Sequence, residues 1–364
     1  MLTPYYDQDG ITVYHGRCED VLPTVDESSI DLIVVDPPYF KVKGEWWDRK
    51  WDTPAQFLAW IGQLCDEWRR VLKPNGSLYC FASPQMAWGV EGEIRQRFNV
   101  LNQIRWMKDA GWHNRTDEGG LRCFLNPWES ISFAEQFNSD NHASGETNYT
   151  SKCDELRGFV FEPLRAYIAG EFERAGMLNQ EGKIAANVAC GFSPDSGGMA
   201  ARHYFGTSQW FLPTEQHYNS MRQLLNGNGT DHLRREYEDL RREYEDLRRP
   251  FNASEDKPYT DVWRFPTVSS YQGKHACEKP AELLDHIMAM SGREGCKVLD
   301  CFAGSGSTLI AAKDSGYESI GIEIEEKWVR ESLRNIARGF TYNAPDRVSR
   351  VAPMTGQGVL EFTS

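Results

Sequence analysis

Residues 30–35, IDLIVV, are mostly β-branched and, apart from one acid, apolar. Such a run suits a strand covered on both faces, as in the interior of a parallel sheet. Parallel neighbours cannot be joined by tight hairpins, so the surrounding chain must supply crossover helices. It does so. PAQFLAWIGQLCDEWRRVL follows, with Phe57, Ile61, Leu64, Trp68 and Leu72 at helical spacing, and KPNG ends it with turn residues. ITVYHG, SLYCFAS and VLNQIRWMKD read as strands, with a helical stretch at 90–98. Alternating strands and helices predict an α/β fold. The rhythm returns near residue 275. EKPAELLDHIMAMS reads as an amphipathic helix, KVLDCFAGSGSTLIAAKDSGYESIGIEI as strand, loop, helix and strand, and EEKWVRESLRNIARGF as a final helix.

Residues 138–257 break this rhythm. They open polar, continue with helical patterns such as LRAYIAGEFERAGML, and include a run rich in Gly, Ser and aromatics. We therefore expect one sheet built from 1–137 and 258–364, interrupted by a mainly helical insertion at 138–257. Inside the insertion LRREYED occurs twice in tandem. Leu233, Tyr237, Leu240, Tyr244 and Leu247 fall at 4-3-4-3 spacing, which predicts a heptad helix over 231–249. That stripe could pack on its own chain or on a second subunit, so a homodimer is open.

Composition narrows the class. Of 364 residues, 40% are hydrophobic and 26% charged, enough for a packed core. The N-terminus MLTPYYDQDG lacks the basic and apolar regions of a signal peptide. No apolar run approaches the roughly 20 residues of a membrane helix, so a cytoplasmic protein without membrane contact is expected. Nine scattered cysteines form no CxxC, which favours buried thiols over a metal site or disulfides.

Two strand ends carry candidate chemistry. KVLDCFAGSGSTLIAA places Asp300, then Phe302, Ala303, Gly304, Ser305 and Gly306, then Ser307 and Thr308 between a strand and a helix. Glycine permits a sharp turn and close backbone approach, and the helix start offers free N–H groups. The dinucleotide fingerprint fails, because Leu309 stands where its third glycine belongs, and the loop lacks the lysine of a Walker motif. What remains is a short loop with a second acid, Glu323, at the next strand end, placed to accept ribose hydroxyls. This set suits a nucleoside ligand without phosphates, such as S-adenosylmethionine.

The other strand end is Asp36-Pro37-Pro38-Tyr39, directly after IDLIVV. The prolines have no N–H and restrict φ, so their carbonyls are held outward. An exocyclic amino group could donate one hydrogen to the Asp36 carboxylate and one to the Pro37 carbonyl. Its lone pair would then leave ring conjugation and face an electrophile. Tyr39 could stack on the ring.

DPPY at 36–39 and FAGSG at 302–306 together resemble the amino-directed DNA methyltransferases, in the permuted β order with DPPY first. The resemblance covers roughly residues 11–135 and 270–340. It implies a Rossmann-like S-adenosylmethionine-dependent methyltransferase sheet whose insertion recognises the target. It also implies site-specific transfer of a methyl group to adenine N6, or alternatively cytosine N4, of a base flipped from double-stranded DNA. No metal is needed, because the cofactor's methyl group is itself the electrophile. A restriction-modification or mobile-element setting fits the family. A different reading, a catalytically inactive DNA-binding protein on the same fold, would leave DPPY and FAGSG without purpose. By resemblance, His275, Lys279 and Pro280 in HACEKPAELL help hold the methionine end of the cofactor, Phe302 lies near cofactor and base, and Trp106 and Lys108 flank the base pocket. Many relatives have Gly-Asp after the first strand, the acid contacting the cofactor adenine. Here Arg17 follows Gly16 and the acids come later, at Glu19 and Asp20, of which Asp20 is the substitute we expect.

On the DNA side, FKVKGEWWDRKWD sets Lys41 and Lys43 among tryptophans and could close on the extruded strand, or pack on the core. GKIAANVACGFSPDSGGMAARHYFGTSQW loosely resembles helix-turn-helix spacing with Gly191 in the turn, from which Arg202, His203, Ser208 and Gln209 could reach bases or phosphates. An ordinary helical insertion is the competing reading. Six arginines over 231–249 could meet the DNA backbone, but seven acids offset them. The net charge of −13 argues against non-specific coating of nucleic acid, not against a local basic patch.

Overall fold

The computed structural model describes residues 2–108, 122–136, 161–194, 198–207, 210–254, 260–269, 271 and 274–338. The first part of the chain forms β1 (Tyr6–Gln8), β2 (Ile11–His15), α1 (Cys18–Val21), β3 (Ile30–Val35), α2 (Pro54–Val71), β4 (Leu72–Ala82), α3 (Ala87–Arg95), β5 (Asn99–Met107) and β6 (Trp128–Glu135). The middle contributes α4 (Glu162–Arg174), α5 (Gln180–Ala189), α6 (Glu215–Asn226) and α7 (Tyr237–Leu247). The last part forms β7 (Val262–Arg264), α8 (Ala281–Ser291), β8 (Lys297–Asp300), α9 (Ser307–Asp314), β9 (Glu318–Glu323) and α10 (Glu326–Arg338).

One nine-stranded sheet runs β1-β2-β9-β8-β3-β4-β6-β5-β7. Strands from both ends of the sequence interleave: β2 pairs with β9, and β3 lies between β8 and β4, all in parallel. Every residue of β3 is buried. Its one acid, Asp31, is held by the Lys73 ammonium at 2.7 Å and the Lys297 backbone N–H at 3.0 Å. The α2 helix starts as its sequence directs, with Thr53 and Gln56 forming a reciprocal capping box and Pro54 in the first turn. The KPNG turn is absorbed into the start of β4, where the pairing with β3 slips between Ile30 and Leu32.

One strand runs against the rest of the sheet's interior. β6 is antiparallel to both β4 and β5. Its first residues therefore lie where its neighbours end, beside the carboxyl edge of β3 and β8.

The middle helices pack around their own apolar cluster, centred on Phe161, Phe172, Tyr204, Trp210, Tyr218 and Leu240. The heptad stripe belongs to that cluster: Leu233 and Leu240 are buried, and Tyr237, Tyr244 and Leu247 pack against them. The helix is shorter than its periodicity predicts, beginning at Tyr237. Leu233 sits at φ +51°. Its N–H is taken by the Glu171 carboxylate at 2.7 Å, its carbonyl by Arg222 at 2.7 Å, and the Tyr167 hydroxyl accepts the Arg235 N–H at 2.9 Å. Side chains of α4 and α6 thus satisfy the backbone that helical bonds would otherwise engage. Just past α7, Arg249 donates to Glu135 on β6 at 2.6 Å, and Asn99 donates to the other Glu135 oxygen at 2.9 Å. The Arg249 and Glu135 side chains are 7% and 0% exposed.

Removing one partner of a buried pair strands the other charge. Arg249→Met should therefore lower stability by about 3–5 kcal/mol in urea unfolding. A change below roughly 1 kcal/mol, the range of exposed pairs, would show that water reaches the pair.

Candidate active site

The sheet brings the two motifs side by side. Leu32 and Ile33 of β3 pair with Val298 and Leu299 of β8, so Asp36 and Asp300 leave adjacent strands at the same edge. His15 pairs with Glu323, which puts the ends of β2 and β9 next in line. A cleft opens over these ends. It encloses about 1130 Å³ with its mouth included, and its lining includes Asp36–Tyr39, Glu19, Lys279, Asp300, Phe302 and Glu323.

Asp36 is gripped from a distant part of the chain. The Lys279 ammonium, just before α8, donates to its Oδ2 and also reaches the Tyr39 hydroxyl at 3.2 Å. Asp36 Oδ1 is buried and has no hydrogen-bond partner. The Tyr39 hydroxyl donates to Glu129 Oε2 at 3.0 Å, and Lys279 Nζ lies 3.5 Å from the same oxygen. Lys108 donates to Glu129 Oε1. Burial pushes the Asp36 carboxyl above the usual carboxylate range, and the Lys279 ammonium opposes that shift. Burial alone would also raise Glu129, but the ammoniums of Lys279 and Lys108 hold it below that range. Tyr39 is pinned by its edge and crossed by Lys279, whose Nζ lies 5.3 Å from the ring centre.

Asp48 fixes the backbone of the DPPY turn. It is fully buried, and its two oxygens accept the N–H groups of Tyr39 at 2.6 Å and Lys43 at 2.5 Å. Between those residues, Phe40 and Lys41 adopt φ of +60° and +62°. This left-handed backbone is costly for side chains of this size and persists only where the surroundings enforce it.

The glycine loop forms the other wall. Gly304 and Gly306 sit at φ +50° and +85°, and Gly306 caps the start of α9. A Cβ on Gly304 would come within 3.1 Å of the His275 ring. Glu323 accepts the Gly304 N–H at 2.8 Å and the Glu325 N–H at 2.8 Å, one on each oxygen. Each oxygen keeps a lone pair for a ligand hydroxyl. Asp300 accepts the Phe302 N–H at 2.9 Å, and burial raises its carboxyl to about 7 against the hydrogen bonds from Thr308 and Phe302. Ser305 and Ser307 face each other at 3.2 Å. His275 packs edge-on against Trp328, and burial together with the Lys279 charge lowers its pKa to about 4. A tight glycine loop, an acid at the strand end and an aromatic rim fit a nucleoside sulfonium such as S-adenosylmethionine.

Some expected residues stand elsewhere. Asp20 is exposed on α1 and outside the cleft; Glu19 lines it instead. Successive helical residues point about 100° apart, so one position decides which acid faces the site. Burial would raise Glu19, but its backbone and Trp60 hydrogen bonds bring it down to about 2. Lys279 lines the cleft but binds the DPPY acid. Pro280 caps the start of α8 and is buried. Lys41 points away, donating to the Asp52 carbonyl at 2.8 Å, whereas Lys43 lines the cleft. The tryptophans divide: Trp51 packs on Phe57 and Trp60, while Trp46 reaches across the cleft mouth to Glu325 at 2.8 Å. Arg202 is exposed and His203 half-buried on the helical turns at 198–205, while Ser208 and Gln209 lie outside the described residues. Three cations between residues 95 and 108 are already paired: Arg95 with Glu91, Arg97 with Asp66 and Lys108 with Glu129. Sequence reasoning missed Glu129 and Asp48, and took Asp20 over its neighbour Glu19. Glu129 needed the reversed direction of β6 to be seen, and Asp48 lay inside a loop read for its cations and aromatics.

Asp300 gives a pH signature. A carboxyl whose folded pKa is raised contributes stability that is complete below the unfolded value and is lost as pH climbs through the folded one. The cofactor-free protein should therefore lose melting temperature between about pH 4 and pH 7, and Asp300→Asn should flatten that loss. Parallel melting curves for wild type and variant across the window would contradict the assignment.

The DNA methylase family model matches residues 30–334. The Type II methyltransferase M2.LlaDCHI of Lactococcus lactis subsp. cremoris is 22% identical over 94% of this chain and 95% of its own. The DNA adenine methyltransferase YhdJ of Escherichia coli K12 is 24% identical over 94% of this chain and 87% of its own. Among solved structures, a DNA modification methylase of Thermus thermophilus is 18% identical, covers 91% of this chain and 96% of its own, and aligns with a TM-score of 0.47. With its motifs on adjacent strands of one sheet and more than half its length under the family model, the chain belongs to the DNA methylases that act on base amino groups.

Proposed function

We propose that the protein moves a methyl group from S-adenosylmethionine to the exocyclic N6 of an adenine flipped out of duplex DNA. The buried, unpartnered Asp36 Oδ1 carries this reading. It is an acceptor with nothing to accept, beside Pro37, in the cleft shared with the glycine loop. An acceptor so placed is costly unless a ligand donor fills it. A base amino group supplies two donors, one for Asp36 Oδ1 and one for the Pro37 carbonyl.

Each residue then has a task. Lys279 holds Oδ2 and so turns Oδ1 toward the base. Asp48 holds the DPPY backbone still, and Tyr39, fixed through its hydroxyl, offers a ring against the base. Gly304 and Gly306 allow the chain to pass close to the cofactor, Glu323 accepts its ribose hydroxyls, and His275 and Phe302 wall its methionine side. S-adenosylmethionine supplies the electrophilic methyl group. The protein contributes position, donor–acceptor geometry and exclusion of water. Extruding the base costs a few kcal/mol and lets it reach a pocket that a paired base cannot enter.

Adenine is favoured because a relative of nearly full-length overlap is named a DNA adenine methyltransferase. Type II names among the relatives support a restriction-modification setting. Among the described residues no helix is long and apolar enough to cross a membrane, and action on DNA in the cytoplasm follows from the proposed substrate. Target reading falls to the middle helices, where Arg202 is one of several exposed cations, with Arg174, Arg234, Arg241 and Arg242.

Incubation with duplex DNA and labelled cofactor, then digestion to nucleosides, should yield N6-methyladenine. N4-methylcytosine would replace the base assignment while keeping the chemistry. Asp36→Ala should abolish transfer and leave cofactor binding intact; full transfer by that variant would refute the role given to Asp36.

A further inference from the structure

Glu129 is not among the residues lining the cleft, yet it closes the charge network beneath Asp36. Its two oxygens take the Tyr39 hydroxyl at 3.0 Å and the Lys108 ammonium, and Lys279 Nζ stands 3.5 Å away. Its side chain is 12% exposed. Lys279 is therefore shared by two carboxylates, and Lys108 neutralises only the outer one. We propose that Glu129 is a positioning residue that sets the ionisation and orientation of Asp36 by competing with it for the Lys279 ammonium, with Lys108 tuning that competition. This rests on the methyltransferase reading above and deepens it.

The direction of the effect follows from charge alone. With Glu129 ionised and close to Lys279, Asp36 holds a smaller share of the ammonium and feels a second negative charge. Both effects disfavour an ionised Asp36. Lys108 draws Glu129 outward and offsets its charge, which favours ionised Asp36. The other titratable groups facing Asp36 are Tyr39 on its own loop, Cys80 on β4, Cys277 ahead of α8 and Asp300 at the end of β8. Burial keeps the three hydroxyl and thiol groups in their neutral forms, since it raises the pKa of each. Asp300 is the one further acid, and both variants below leave it unchanged. An ionised Asp36 accepts the base N–H more strongly than a neutral one, so the rate of methyl transfer should fall on the acid side as Asp36 gains a proton.

The test is the pH profile of single-turnover methyl transfer at saturating DNA and cofactor, for wild type, Glu129→Gln and Lys108→Met. Glutamine still accepts the Tyr39 hydroxyl but has no charge. The acid limb of Glu129→Gln should move about one unit lower in pH, and that of Lys108→Met should move higher. Cofactor affinity by calorimetry should match wild type in both. A purely structural role would alter melting temperature or rate at every pH without opposite movements of the limb. Limbs that coincide with wild type, or that move in the same direction, overturn the proposal. So does a Lys108→Met variant that only loses DNA affinity. If Glu129→Gln does not fold, the partly exposed Lys108→Met decides alone, because an unmoved limb there is sufficient to reject the network. Wild-type protein that methylates no base would refute the parent reading instead, so the two failures are distinguishable.

Discussion

The pairing of Lys279 with Asp36 joins residues 243 positions apart and closes the site from both halves of the sequence. Everything else at the strand ends is arranged around it. The parallel core of β2, β9, β8, β3 and β4 brings the two ends of the chain into one sheet. The DPPY turn then places the carboxylate, and the start of α8 places the ammonium. A buried carboxylate alone would take up a proton. Held by Lys279 on one oxygen, Asp36 can remain an acceptor on the other. Burial of such a pair gives little stability in itself; its value here lies in leaving one oxygen unsatisfied until a donor arrives.

Local patterns made part of this legible. The apolar run of β3, interrupted only by Asp31, the capped and periodic α2 and the glycine-rich start of α9 announce themselves within short stretches of sequence. The site was less legible where it depended on direction and neighbours. A strand such as WESISFAE does not reveal that it runs against β4 and β5, and only that reversal delivers Glu129 to the site. The acid facing the cleft from α1 is Glu19 rather than Asp20, a difference of one residue on a helical turn. Lys279 was identifiable as a site residue, but which group it serves is fixed by a contact between distant segments.

The same lesson holds for the middle helices. The heptad pattern is real, yet the helix begins late because Glu171, Arg222 and Tyr167 hold the preceding backbone in another shape. Tertiary hydrogen bonds outweigh a repeat that would favour helix by propensity alone. Its apolar stripe is consumed within its own cluster. The acidic balance of the chain also looks different with the fold in view, because three cations of the cleft lining, Arg17, Lys50 and Lys279, are engaged in ion pairs.

The role of Lys279 is where sequence resemblance and structure diverge, and it is the most direct point of test. If Lys279 orients Asp36, replacing it with methionine should slow single-turnover methyl transfer by roughly 100-fold or more, the scale of one preorganised electrostatic contact, while calorimetric affinity for S-adenosylmethionine stays near wild type. A variant that transfers methyl groups at the wild-type rate, or one whose cofactor affinity collapses in step with its rate, would contradict that account and return Lys279 to the cofactor.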